Sequence, residues 1–218
     1  MNILKTVITK VVYQIKLEAG KVLSIPFQKQ CRERIRNKDF SIVCSNCIGG
    51  IIYHRLGMKF LSPTINLWFF QNEFVKFIRN LPEYLAKELE FIPSEFNYPV
   101  ARLGDVRIMF NHCKTEEEAR NAWNSRRDRV NFDNLYIILY DRDDLTREDI
   151  LSLKNVKCKR LVVLSEKEYP DIDYVKTIRR CPKPRLNDAA FLDIDARGIR
   201  TFEKQFDFVA WLNGEKKY

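Results

Sequence analysis

The sequence has few of the residues that mark common metal, redox and nucleotide sites. It contains only two histidines, His54 and His112, and six cysteines at irregular spacing. The pair Cys44 and Cys47 has CxxC spacing, but no second CxxC follows, so a four-cysteine zinc site is not expected. A redox role of the pair stays open, although Cys44 is expected to point into the core. Neither GxGxxG nor GxxxxGK[ST] occurs, so neither of these nucleotide-binding loops is predicted.

Long hydrophobic runs are also missing. No stretch of about 18 apolar residues occurs, which is close to the length that a membrane-spanning helix needs. Lysines and a glutamate interrupt the apolar residues near the N-terminus, so no secretory signal peptide is expected. The hydrophobic fraction of 45% and the charged fraction of 31% are typical of a globular protein. We therefore expect a cytoplasmic protein.

The positive charge is concentrated in the first 37 residues. They contain eight lysines and arginines and two glutamates, a net charge of +6, against +9 for the whole chain. Residues 3–17 also have apolar side chains at helical spacing, with lysines on the other face. Such a helix lies on the anionic inner face of a membrane, or packs on the domain with its lysines in solvent. Nucleic acid is not an expected partner, because no known binding motif accompanies the charge.

Strand and helix patterns alternate along the rest of the chain. We predict two regions, a basic amphipathic segment over residues 1–37 and an α/β domain over residues 38–218. In the domain we expect a mixed or mostly parallel sheet with helices packed on its faces. The predicted elements are a strand ending at 44, a helix ending at Gly57, a helical stretch over 67–90 divided by Pro82, a hairpin over 98–110, a helix from Thr115 to about Arg129, strands over 135–140 and 160–164 joined by a helix that Thr146 caps, and a closing helix near 206–212.

The segment 40–53 is the strongest candidate for a functional site. It predicts a short buried strand, a tight Ser45-Asn46-Cys47 turn and a helix that opens at Gly49-Gly50. A helix N-terminus attracts anions and stabilises a thiolate, which makes Cys47 a candidate nucleophile. The adjacent N–H groups are candidates for binding an oxyanion or a phosphate.

His112 is the candidate base for this nucleophile. It follows a predicted strand, whereas His54 lies within the same helix as the candidate thiol. The alternative interpretation is that Cys47 is a small buried residue at a tight turn. The two glycines would then only permit close packing of the helix against the strand.

Other polar and aromatic residues are candidates for substrate binding. Trp123 and Arg126 share one face of the predicted helix, where an indole stacks on a sugar or base and a guanidinium binds phosphate or carboxylate. The alternative is a core tryptophan with surface arginines paired to nearby acids. Asparagine side chains suit sugar hydroxyls. The complete set of candidate binding residues is Ser45, Asn46, Gly49, Gly50, Asn66, Trp123, Arg126, Arg129 and Asn131.

An Asp-x-Asp pattern follows the predicted strand 135–140. Asp141 and Asp143 are similar to the pair that holds a divalent metal and a nucleotide-sugar diphosphate in many glycosyltransferases. Acidic turns between a strand and a helix are also common, and they cap the next helix. We assign no metal ligand from this pattern, and the sequence identifies no cofactor.

Several of these stretches together resemble a known family. The sequence resembles the bacterial domain-of-unknown-function family 1919, whose members are often labelled exopolysaccharide biosynthesis proteins. The similarity spans about residues 38–212 and is strongest over 45–53, 61–66, His112 and 115–131. It implies an α/β fold and a link to the assembly of cell-surface polysaccharides.

The preferred hypothesis is a cytoplasmic transferase of exopolysaccharide biosynthesis that acts on an activated sugar or acyl donor. Cys47 and His112 would perform the chemistry, and Arg126 and Arg129 would hold a phosphate or carboxylate. The alternative is a non-enzymatic subunit, peripheral to the inner face of the membrane, that binds a saccharide precursor or a partner protein. The sequence alone does not decide whether the protein is an enzyme.

Overall fold

The computed structural model describes residues 14, 15, 17–141, 145–179 and 193–218. They form two compact units, one from the described parts of residues 1–36 and 178–218, and one from Asn37–Thr177. The larger unit contains a parallel sheet, an antiparallel sheet and helices, which confirms the predicted α/β fold. The predicted boundary between residues 37 and 38 stays a prediction.

The helices and strands are numbered here in chain order. The helices are α1 (Ile25–Arg34), α2 (Ile48–Leu56), α3 (Gln71–Arg79), α4 (Leu81–Ala86), α5 (Glu116–Arg127), α6 (Arg147–Ser152) and α7 (Phe208–Leu212). The strands are β1 (Ser41–Cys44), β2 (Glu90–Ile92), β3 (Val100–Leu103), β4 (Val106–Met109), β5 (Leu135–Tyr140), β6 (Arg160–Ser165) and β7 (Val175–Thr177). Residues 14, 15 and 17–23 are also helical.

Four strands form a parallel sheet in the order β1-β5-β6-β7. All six residues of β5 are buried, as expected for a strand covered on both faces. The predicted strand–helix–strand unit is confirmed, because β5 and β6 are parallel with α6 between them in the chain. Val43, Ile137, Leu139 and Val163 lie in the main hydrophobic core of this unit.

A second, antiparallel sheet has the order β2-β3-β4. The predicted hairpin is confirmed, with Gly104 in the turn at φ 67°, a left-handed conformation that favours glycine. The short strands β2 and β7 were not predicted.

Local sequence signals set the helix ends. Gly57 ends α2 in a left-handed conformation at φ 65°, and its N–H donates to the carbonyl of His54. The Thr115 hydroxyl accepts from the N–H of Glu118 at 3.1 Å at the start of α5. Pro82 lies in the first turn of α4 and separates it from α3, as predicted.

The predicted start of a helix at residue 67 is wrong. Residues 67–70 are not helical, and the N–H of Trp68 donates to the carbonyl of Met109 at 3.2 Å while the reverse bond is 3.0 Å. The reason is a two-residue period of burial, since Leu67 and Phe69 are buried while Asn66, Trp68 and Phe70 are half-buried. Helical spacing begins only with α3.

The smaller unit holds α1 against α7. The rings of Phe27 and Phe208 meet edge to face with centroids 6.5 Å apart. Arg34 forms an ion pair with Asp207, whose carboxylate also caps α7 through the N–H of Ala210 at 3.1 Å. The predicted closing helix is confirmed over Phe208–Leu212. Most of the helix predicted over residues 3–17 lies outside the described residues.

Across the described parts of the chain, no helix combines the length and the apolar character that crossing a bilayer requires.

Candidate functional site

The structure brings Cys47 and His112 together. The Sγ atom of Cys47 lies 3.4 Å from Nε2 of His112, although 65 positions separate them in the chain. Cys47 is the N-cap residue of α2, just beyond the carboxyl end of β1. His112 lies in a turn after β4, which the N–H of Cys113 closes on the carbonyl of Phe110 at 2.9 Å.

The extended segment at residues 67–70 places these two turns side by side. On one side, Trp68 pairs with Met109 at the end of β4. On the other side, the N–H of Phe69 donates to the carbonyl of Ser45 at 3.1 Å, directly after β1. The segment therefore joins the ends of the strands that precede Cys47 and His112.

Ser45 and Asn46 shape the turn that presents Cys47. The Ser45 hydroxyl accepts from the N–H of Tyr140 at 3.2 Å, which extends the contact between β1 and β5. The Asn46 Oδ1 atom accepts from the N–H of Ile48 at 3.0 Å and from the Cys44 thiol at 3.4 Å. Both side chains are buried. They support the turn, and the predicted role of Asn46 in binding a substrate hydroxyl stays a prediction.

Close packing explains the two glycines. A Cβ atom at Gly49 would lie 3.1 Å from Cys44 Cβ and 3.3 Å from Ile42 Cγ2, so glycine lets α2 pack this close to β1 without displacing those side chains. A Cβ atom at Gly50 would lie 2.5 Å from Oδ1 of Asn66. Asn66 itself has a left-handed backbone at φ 61°. Of the two interpretations of the glycines, the structure favours packing over phosphate binding.

Cys44 is buried and is not a candidate for a reaction with a ligand. Burial raises the pKa of Cys44 to about 12, more than the facing N–H groups of Asn46 and Gly49 lower it. Both residues of the CxxC pair are thiols rather than a disulfide. Cys47 is half-buried, so it is the member of the pair that a ligand can reach.

His112 is suited to accept a proton from Cys47. Partial burial of the imidazole lowers the pKa of His112 below its ordinary value of 6.5. The ring is therefore neutral at pH 7, and in the tautomer with its proton on Nδ1 the Nε2 atom accepts from the thiol.

The burial of the His112 imidazole leads to a prediction about its pKa. We expect the imidazole of His112 in the full chain to titrate below the ordinary value of 6.5, because burial disfavours its charged form. The unfolded chain binds this proton at a higher pH, so the contribution of His112 to stability is present above pH 6.5 and is lost as the pH falls through the lowered pKa. Proton NMR of the imidazole, assigned with His54→Gln, measures it, and a pKa at or above 6.5 would contradict the arrangement.

Trp123 does not face a ligand. It is 1% exposed, with ring centroids 6.4 Å from Phe77 and 6.5 Å from Phe110. The predicted stacking on a sugar or base is therefore wrong, and the core interpretation holds. The reason is that α5 turns its Trp123 face toward the hydrophobic core of the larger unit.

Arg126 and Arg129 lie along the loop that precedes the extended segment. Arg126 donates to the carbonyl of Ile65 at 3.3 Å, and Arg129 donates to the carbonyl of Phe60 at 3.4 Å. Burial lowers the pKa of Arg126, and the nearby charge of Arg129 lowers it further. Neither guanidinium forms an ion pair with a carboxylate of the described chain, whereas Arg127 pairs with Glu88 at 2.9 Å.

Asn131 lies at the opposite end of the sheet. Its N–H donates to Ser41 Oγ at 2.8 Å and its Nδ2 donates to Asp39 Oδ2 at 3.0 Å, next to the amino end of β1. Its Oδ1 accepts from the N–H groups of Asp133 and Asn134. The predicted contribution of Asn131 to a pocket with Cys47 is therefore wrong, because α5 returns the chain from the carboxyl edge to the amino edge.

Asp141 is buried at the carboxyl end of β5. Its Oδ2 accepts from the hydroxyl of Ser165 at 2.5 Å, and its N–H donates to the carbonyl of Leu164 at 2.8 Å. Asp143 lies outside the described residues. Among the residues that are described, no group of three or more His, Cys, Asp or Glu is arranged for a metal ion.

Comparison with known proteins shows to which family the chain belongs. The family described as "Domain of unknown function (DUF1919)" matches residues 19–213. The chain belongs to this family. A Haemophilus influenzae protein described as "Uncharacterized protein" is 30% identical to it over 200 residues, which cover 92% of this chain and 97% of that protein. The family resemblance noted in the sequence is thus confirmed, over a range that extends into the basic N-terminal segment.

Sequence reasoning missed the residues that hold the site together. Trp68 and Met109 join the two turns, and Ser165 holds Asp141 at the same edge of the sheet. The sequence contains little signal for the first pair, because residues 67–70 form a continuous apolar run, which does not distinguish a strand from a buried helix. No sequence signal pointed to Ser165.

Proposed function

We propose that the protein is a cysteine-dependent acyltransferase, with Cys47 as nucleophile and His112 as base. The observation that supports this most strongly is the 3.4 Å contact between Cys47 Sγ and His112 Nε2 at the N-terminus of α2. A nucleophile within reach of a neutral base, beside the positive end of a helix dipole, is the arrangement that activates a thiol. It favours an acyl donor over a sugar donor.

The proposed reaction has two steps. His112 takes the proton of Cys47 as Sγ attacks the carbonyl carbon of a thioester donor. The bond from that carbon to the donor sulfur breaks, and the leaving thiolate takes the proton from His112. A hydroxyl of the acceptor then gives its proton to His112 as its oxygen attacks the Cys47 thioester, and Sγ leaves and recovers the proton.

The acceptor in this proposal is a hydroxyl of a sugar in a cell-surface polysaccharide or its precursor. This part rests on the label that members of the resembled family often have. Arg126 is the candidate for binding an anionic group of the donor or acceptor, since it lies against Ile65, and the neighbouring Asn66 packs on α2. The proposed location is the cytoplasm.

Mass spectrometry of the full chain after brief incubation with acetyl-CoA and longer acyl-CoA thioesters tests the proposal. We expect an acyl group on the peptide that contains Cys47, and less of it when sugars with free hydroxyls are added as acceptors. Acylation that is absent from Cys47, or equal on Cys47 and Cys113, would contradict the proposal.

A second candidate function, binding to an anionic membrane surface, is supported by exposed apolar side chains near the basic N-terminus. Ile15 is 64% exposed, Val22 65%, Leu23 54% and Ile25 56%. Lysines and arginines surround them in the sequence, and apolar side chains with cations are the combination that partitions into a headgroup layer. The two functions are compatible in one protein.

Replacing Val22 and Leu23 by glutamate tests this surface. We expect the fraction bound to vesicles of phosphatidylcholine and phosphatidylglycerol to fall about tenfold or more, because two apolar contacts are lost and two repelled charges are added. Co-sedimentation measures it. The matched control is Leu151→Glu, since Leu151 is 44% exposed but belongs to the other unit. Equal binding of wild type and the double variant would contradict membrane docking.

A further inference from the structure

A cavity of about 840 Å³ opens in the larger unit, away from Cys47. It lies between the N-terminal part of α4, the 3₁₀ turn at Phe132–Asn134 and the segment 155–159. Its volume is within the range of about 300–1,000 Å³ that is typical of small-molecule sites. Nothing in the proposed transferase reaction uses it.

The cavity lies at the amino ends of the parallel strands. Leu135 is the first residue of β5, and Lys159 comes directly before β6. Cys47 follows the carboxyl end of β1, which is parallel to β5. The six residues of β5 span roughly 17 Å. The cavity and the Cys47–His112 pair therefore lie at opposite edges of one sheet.

The lining combines an apolar wall with cations. Leu81, Pro82 and Phe132 provide apolar surface, and Phe132 is 48% exposed, so its ring is accessible to a ligand. Lys157 and Lys159 also line the cavity.

Its positive charge is poorly compensated. Lys157, Lys159 and Arg79 line the cavity, and none of the three forms an ion pair within the described chain. Of the acids in the lining, Glu83 is engaged by Lys87 at 3.0 Å, which leaves Asp133. An apolar wall beside unneutralised cations matches a ligand with an apolar body and a negative group.

We propose that this cavity is a second binding site, and that it takes a small anionic amphiphile. The apolar body of the ligand lies against Pro82 and Phe132, and its anionic group faces Lys157 and Lys159. A phosphate on a hydrocarbon chain and a nucleotide both have this chemistry. The site is independent of the transferase proposal, because it shares no residue with the Cys47–His112 pair.

Fluorescence titration of the full chain with 8-anilinonaphthalene-1-sulfonate tests the site, with neutral N-phenyl-1-naphthylamine as the uncharged comparison. We expect the anionic probe to bind more tightly than the neutral one. The double variant Lys157→Gln/Lys159→Gln should weaken the anionic probe about tenfold and leave the neutral probe nearly unchanged, because two facing cations are lost. Equal affinities of wild type and this variant for the anionic probe would overturn the proposal.

Two controls separate this cavity from other probe sites. Lys154→Gln removes one exposed lysine outside the lining and should leave both probes unaffected. Cys158→Trp places a large ring in the lining and should weaken binding of both probes, whereas Cys47→Ala should change neither. Probe binding that Cys158→Trp leaves unchanged in a chain that still unfolds cooperatively would also overturn the proposal.

Competition identifies the class of ligand. Displacement of the anionic probe by decyl phosphate but not by AMP assigns a hydrocarbon-chain phosphate, and the reverse assigns a nucleotide. Displacement by neither would contradict a site for small anionic amphiphiles.

Discussion

Replacing Cys47 by alanine is expected to abolish acyl transfer. The rate from an acyl thioester, or the burst of nitrophenol from p-nitrophenyl acetate, should fall by at least about a thousandfold, since no covalent intermediate can form without the thiol. The fold should persist, because Cys47 is half-buried and its side chain makes no cap hydrogen bond to α2. Stopped-flow absorbance measures the burst, and circular dichroism checks the fold.

Cys113→Ser is the matched control for that experiment. Cys113 is also a half-buried thiol and is the neighbour of His112, but burial raises the pKa of Cys113 and keeps it protonated. We expect this variant to retain the burst. A burst that persists in Cys47→Ala and disappears in Cys113→Ser would show that Cys113 is the nucleophile and would contradict the assignment of Cys47.

Replacing Trp123 by alanine is expected to have the largest effect on stability. The free energy of unfolding should fall by about 3–5 kcal/mol, because the change opens a cavity among Phe77, Phe110 and the rest of the core. Urea denaturation followed by circular dichroism measures it. A loss below about 1 kcal/mol would contradict the buried position.

Trp123→Phe separates packing from ligand binding. The indole N–H of Trp123 is buried without a hydrogen-bond partner, so the smaller ring also removes an unsatisfied donor. We expect this variant to lose much less stability than the alanine variant and to keep the reactivity of Cys47. Were Trp123 a stacking platform for a sugar, substrate affinity would fall in both variants without the stability difference.

The sequence predicted the Cys47–His112 pair for two physical reasons. Histidines are so few that only His54 and His112 were available, and His54 lies more than a turn inside the helix that Cys47 begins. Strand β5 was also predicted to the residue, because its uninterrupted apolar run is bounded by polar turns. Features that are set by such local sequence patterns can be predicted without knowledge of the tertiary contacts.

Other features depended on contacts that no local pattern encodes. Asn131 was grouped with His112 because both are near α5 in sequence, yet a twelve-residue helix carries the chain to the other edge of the sheet. A single tryptophan on an amphipathic helix is equally compatible with a core and a binding face, and only the neighbouring rings decide. The pairing of Trp68 with Met109 spans 41 positions and follows from the tertiary fold.

The rate of alkylation of Cys47 by iodoacetamide at pH 7, compared between wild type and His112→Gln, tests the central claim most directly. Peptide mass spectrometry follows Cys47 and Cys113 in the same sample, so Cys113 serves as the internal reference. We expect Cys47 to react faster than Cys113 in the wild type. In His112→Gln, we expect Cys47 to react at least about tenfold more slowly than Cys47 in the wild type. Equal rates at Cys47 in the two proteins would show that His112 does not activate the thiol and would contradict the proposed mechanism.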